Sequence, residues 1–164
     1  METTQTDVAP LNLDLRGIYE THLTVRNLEV SLNFYQQKLG LRLARMLSER
    51  RAAFLWVGAP QSGMLGLWES GSAPLGLRLH MAFRSSLQKI ETMCQTLRTQ
   101  DITPLDFDGV STDEPVVIGW MPAVSIYVKD PDGHSIEFIN YLDEAPAPDL
   151  GVVPLSIWTK RKPV

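Results

Sequence analysis

The sequence predicts an α+β fold in which a strand–helix–strand–strand–strand unit occurs twice in tandem. Three observations lead there. Apolar and polar residues alternate with period two in short runs through both halves of the chain. Each half has one amphipathic segment, with apolar residues three and four apart, directly after its first strand run. The order of elements repeats although the residues of the two halves are barely alike.

Gly17–Val25 opens the first unit as a β-branched and aromatic strand. Its alternation puts Glu20, His22 and Thr24 on one face and Tyr19, Thr21, Leu23 and Val25 on the other. Asn27 is the expected N-cap of a helix carrying Leu28, Leu32, Tyr35 and Leu39, which Gly40 stops. Strand runs follow at Leu41–Leu47, Ala52–Val57 and Gly63–Glu69, then a loop with Gly71 and Pro74. The second unit starts at Leu77–Phe83, where Arg78, His80 and Ala82 share a face. Ser85 or Ser86 caps a helix with Leu87, Ile90, Met93, Cys94 and Leu97 inward, so Cys94 reads as core. Strands are expected at Thr103–Asp106, Ala123–Val128 and Ser135–Tyr141, and the stretch from Phe107 to Met121 reads as irregular.

At 164 residues, 44% hydrophobic and 21% charged, the chain has room for one well-cored domain. Residues 1–15 read as an N-terminal tail and 16–142 as the working domain. Residues 143–164 read as a proline-rich arm lying loosely on a surface, because Pro146, Pro148, Pro154 and Pro163 forbid a regular helix or central strand. The net charge of −4 argues against a nucleic-acid partner held by phosphate contacts. No apolar run reaches the roughly 18–20 residues of a membrane span. The first residues lack a secretory pattern, and the single cysteine excludes an internal disulfide. A cytoplasmic protein is expected.

Each half has a histidine in its first strand and a glutamate near the end of its last: His22 with Glu69, and His80 with Glu137. A strand histidine with apolar neighbours is, taken singly, more often a satisfied structural residue than a ligand. Two imidazoles and a carboxylate on inner strand faces, however, suit a divalent metal and leave positions open for substrate. Glu137 lies between Ile136 and Phe138, and a buried carboxylate demands a cation, a metal or several hydrogen bonds. Asp130-Pro131-Asp132-Gly133 reads as a tight turn that fixes the start of the last strand. Alternation puts the adjoining His134 opposite Glu137, as a surface residue. Trp56, Trp68, Trp120, Met64 and Met121 read equally as cleft lining or core, and Arg78 as an anion grip or a rim ion pair. Phosphate-loop, dinucleotide, CxxC and GxSxG patterns are absent.

GIYETHLTV, SLNFYQQKLGL, GMLGLWES, LRLHMAF and DPDGHSIEFINY together resemble the vicinal oxygen chelate superfamily. It groups glyoxalase I, extradiol dioxygenases, fosfomycin-resistance enzymes, methylmalonyl-CoA epimerase and bleomycin-resistance proteins. The resemblance spans Gly17 to Tyr141 and implies paired βαβββ modules whose mixed sheets curve into a half-barrel cup, with helices outside. It implies His22, His80 and Glu137 as ligands of a divalent ion (Fe, Mn, Ni, Zn or Co). Glu69 is then the candidate fourth ligand or base, with Gly66 as the alternative occupant of that place. Arg78, Trp68 and Trp120 are the candidate substrate contacts. A homodimer is implied, in which His22 meets His80 and Glu137 of the other copy. The function implied is that of a lyase, isomerase or dioxygenase on a small oxygen-rich substrate. The alternative is a metal-independent binding protein of the bleomycin-resistance type.

Overall fold

The computed structural model describes residues 18–70 and 77–161. The expected tail, the loop at Gly71 and Pro74, and Lys162 lie outside the described residues. The first unit comprises β1 (Glu20–Val25), α1 (Leu28–Leu32), β2 (Arg42–Leu47), β3 (Ala52–Trp56) and β4 (Met64–Glu69). The second comprises β5 (His80–Arg84), α2 (Leu87–Glu91), α3 (Met93–Arg98), β6 (Val116–Ile118), β7 (Ala123–Lys129) and β8 (Ser135–Tyr141). After them come β9 (Val152–Pro154) and α4 (Leu155–Trp158). The α+β architecture with two βαβββ units is therefore as expected. Two open mixed sheets result, ordered β1-β4-β3-β2 and β5-β8-β7-β6-β9. In each, the first strand pairs parallel with the last strand of its own unit and the other pairings are antiparallel.

Local chemistry explains the helical crossover of the first unit. Asn27 caps α1 by accepting the Val30 N–H at 2.9 Å. The helix then widens into a π-helical stretch, Asn33–Lys38, closed by the Leu39 N–H on the Phe34 carbonyl at 3.0 Å. Gly40 ends it at φ +76°, a conformation that costs glycine little.

Odd-numbered β1 residues, Leu23 and Val25, point toward α1 and join Leu28, Phe34, Tyr35, Leu65 and Leu67 in the core. That same core continues through Phe83, Cys94, Leu97, Ile126, Val128 and Ile136 of the second unit. The two units thus share one apolar interior on the helix side of both sheets. The opposite faces mix polar and apolar side chains, among them His22, Phe54, Trp68, Glu137 and Ile139. Among the described residues, no helix is long and apolar enough to cross a membrane.

Two expectations change. Thr103–Asp106 forms no strand, because Pro104 lacks an N–H, and Leu105 alone bridges to Ser111 and Tyr127. The missing strand is β6, a three-residue β-branched run hidden between Pro115 and Gly119 in the stretch read as irregular. The C-terminal segment is also packed firmly. β9 adds antiparallel to β6, with Val153 opposite Val117, and its proline is tolerated because β9 is an edge strand. Trp158 is 1% exposed, packs with Ile90, Val117 and Val124, and donates its indole N–H to Glu144 at 3.0 Å. The Arg161 guanidinium covers the ring at 3.5 Å.

Trp158→Ala is expected to destabilise the protein by about 3–5 kcal/mol, as for other buried aromatics. Urea unfolding checks this; a loss below about 1 kcal/mol would mean the arm is not part of the folded core.

Candidate functional site

On the open face of the second sheet lies a charge placed at unusual depth. In β8, Ile136 and Phe138 turn to the core, so alternation sends Glu137 to the other side. It is nevertheless only 5% exposed. Its Oε1 accepts hydrogen bonds from the Ser125 hydroxyl at 2.6 Å and the Tyr127 hydroxyl at 2.9 Å. Its Oε2 lies 3.2 Å from His80 Nε2, and the His80 side chain is half exposed. Burial, reinforced by the hydrogen bond to Glu137, pushes the Tyr127 phenol far above its ordinary pKa, so it stays a proton donor to the carboxylate. A cavity of about 490 Å³ opens over this group, walled by Phe107, Ile118, Met121 and Ile139, with Lys129 at its edge.

The first sheet presents a matching face. His22 lies over Gly66, its register partner, where a Cβ would come within 2.6 Å of the imidazole Cδ2, so only glycine fits beneath the ring. Phe54 and Trp68 flank the ring with centroids 5.7 Å away, and His22 Nε2 contacts Glu20 Oε1 at 2.7 Å.

Strand register identifies the counterpart of Glu137 in this sheet. Ala82, two residues after His80, pairs with Glu137, and Thr24, two residues after His22, pairs with Trp68. Trp68, and not Glu69, therefore holds the equivalent position, while Gly66 matches Ser135. Glu69 turns to the helix side, where it accepts the Leu28 N–H at 2.7 Å and pairs with Arg51 at 2.6 Å. Hydrogen bonds from Arg51 hold its carboxyl below the usual carboxylate range, and Arg51 also grips Glu29.

The remaining candidates stand apart from Glu137. Arg78 precedes β5, is exposed, and runs beside Gly133 instead of lining the cavity. Trp120 is 64% exposed at the end of β6. Within one chain, His80 and Glu137 come together and His22 belongs to the other sheet. Among the described residues, no three His, Cys, Asp or Glu side chains converge closely enough to hold a metal.

His134 corrects the expectation of a surface residue: it is 1% exposed. Alternation does not extend to it, because it precedes the strand, after Gly133 at φ +86°. Its Nδ1 accepts the Leu79 N–H at 3.0 Å, which leaves the ring proton on Nε2 to be donated to the Thr24 carbonyl at 2.9 Å. One imidazole so joins the strand of His22 to the strand of His80. The turn before it is part of the same joint. Asp130 accepts the Tyr35 hydroxyl at 2.9 Å, and Asp132 pairs with Arg26 at 2.8 Å.

Sequence reasoning missed Ser125, Tyr127 and Glu20. For the first two a signal existed: counting back across the Asp130–Gly133 turn sets Tyr127 opposite Glu137, as observed.

Comparison with known proteins bears on the fold. The family model described as Glyoxalase/Bleomycin resistance protein/Dioxygenase superfamily matches residues 17–138. An integron cassette protein, HFX_CASS4, from the mobile metagenome of the Halifax Harbour sewage outfall is 34% identical. That match covers 76% of this chain and 98% of the other, with a TM-score of 0.66. Lactoylglutathione lyase from Agrobacterium tumefaciens shares the fold at TM-score 0.58 and 19% identity, over 76% and 93% of the two chains. A glyoxalase/bleomycin resistance protein/dioxygenase from Nocardioides does so at 0.59 and 23%, over 83% and 90%. Among curated proteins the chain has no match.

His134→Ala is expected to cost about 2–4 kcal/mol, because it leaves a cavity, the Leu79 N–H and the Thr24 carbonyl without their partner. Chemical denaturation measures it; an unchanged midpoint would show that the two units need no such joint.

Proposed function

The chain belongs to the Glyoxalase/Bleomycin resistance protein/Dioxygenase superfamily, and on that footing we propose that it is a divalent-metal enzyme whose site is completed by a second copy. The observation that carries this reading is the buried Glu137 carboxylate. Its Oε1 is filled by two hydroxyl donors, while Oε2 and His80 Nε2 sit 3.2 Å apart beside an open cavity. Hydroxyls satisfy an anion without neutralising it, so the negative charge stays available to a cation. The spacing suits two neighbouring donors on one ion.

The donor set fits a metal as two halves. His80 and Glu137 would supply one half, and His22, on the open face of the other sheet, would supply the third ligand from the partner copy. Glu69 is held on the far side by Arg51 and Leu28, so three protein ligands are proposed. Two neutral imidazoles and one carboxylate would leave a divalent ion at net +1, which favours an anionic or enolisable ligand. Nitrogen and oxygen donors of this kind suit Fe, Mn, Ni, Zn or Co. When bound, such an ion supplies Lewis acidity to substrate oxygens. The chain's own residues do the rest. Phe107, Ile118, Met121 and Ile139 exclude water and hold the apolar body of a small oxygen-bearing substrate. The reaction class proposed is that of a lyase, isomerase or dioxygenase.

Metal analysis after repletion is expected to find about one equivalent per chain, with His22→Ala, His80→Ala and Glu137→Ala each depleted and folded. Glu69→Gln is expected to keep its metal. A wild-type content below about a tenth of an equivalent favours metal-free ligand sequestration instead. Co-expressed His22→Ala and His80→Ala chains should recover about a quarter of the wild-type metal, since mixed dimers carry one intact site. No recovery would mean that the site is not shared.

A further inference from the structure

We infer that Ser125 and Tyr127 are positioning residues that make Glu137 a single-oxygen donor, an inference that rests on the metal reading above. β7 and β8 are antiparallel, with Tyr127 directly opposite Glu137 and Ser125 one step further along the same face. Both hydroxyls reach the same atom, Oε1, at 2.6 and 2.9 Å. A carboxylate oxygen offers two good lone-pair directions, and here both are taken. The side chain is thereby held against rotation, with Oε2 alone turned toward His80.

Tyr127 acts on both donors. Its hydroxyl holds Glu137, and its ring leans on the His80 imidazole with centroids 6.2 Å apart and planes at 36°. Phe107 meets the other side of the phenol edge-on at 6.1 Å, which restricts the ring from the cavity side. Ser125 is fully buried. A buried serine aimed at a buried carboxylate gains little as core packing, whereas locking one oxygen of a ligand explains its place. Such partners of first ligands typically carry about 10- to 100-fold in metal affinity.

Cobalt(II) titration of the full-length protein, read by its visible absorption, tests this. Tyr127→Phe keeps the ring and its contact with His80 but removes the hydroxyl; Ser125→Ala removes the other donor. Each is expected to weaken cobalt binding about 10- to 100-fold and to alter the absorption envelope as Glu137 gains freedom to chelate through both oxygens. Metal-free Tyr127→Phe is expected to stay folded with a lowered thermal midpoint, because the buried carboxylate loses one of its two hydroxyl donors, and Ser125→Thr should recover the affinity that Ser125→Ala loses. Wild-type affinity and an unchanged spectrum in both single variants would overturn the inference while leaving the metal reading standing. A wild-type protein that takes up no cobalt would overturn both.

Discussion

Glu137 carries a charge into the floor of the second sheet, and much of what surrounds it answers the cost of placing it there. An ionised carboxylate removed from water needs hydrogen bonds or a counter-charge. β7 provides the hydrogen bonds through Ser125 and Tyr127, two residues apart on one face. Among the described residues, no lysine or arginine pairs with it. The parallel β5–β8 pairing then brings His80 alongside. The chemistry on the open face is thus inseparable from strand register on the core face, where Ile126, Val128 and Ile136 fix the same strands by burial.

The two units are coupled more tightly than a tandem repeat requires. They share one apolar interior, and the turn at Asp130–Gly133 reaches across to Tyr35, Arg26 and, through His134, to the carbonyl of Thr24. Thr24 lies in the strand that bears His22, and Arg26 follows directly after it. The relative placement of the two open faces is therefore set by the shared apolar interior together with these hydrogen bonds.

What could be read from the sequence followed from periodicity. β2, β3, β4, β7 and β8 announce themselves by alternation, and Asn27 and Gly40 by the chemistry of helix ends. Register was the harder matter. The apparent echo of Glu137 in Glu69 is displaced by one residue, and one residue in a strand is the difference between two faces; Trp68 is the true counterpart. His134 was misplaced by extending alternation beyond the strand it precedes. Val116–Ile118 is too short to show a period at all. Ser125 and Tyr127 carry no signature until hairpin register sets Tyr127 opposite Glu137 and Ser125 two residues away on the same face.

The last strand deserves a different reading from the rest of its sheet. β9 is three residues long, ends at Pro154 and lies at the outer margin beyond β6. A margin so short, with a proline that cannot donate, offers a poor template for further strands. In the first sheet β2 is one of the two outer strands, with Leu43 and Met46 turned to solvent beside the exposed Arg42 and Arg45. The C-terminal segment thus closes the β6 edge with a margin that discourages further pairing, whereas at β2 the exposed charges of Arg42 and Arg45 serve that end.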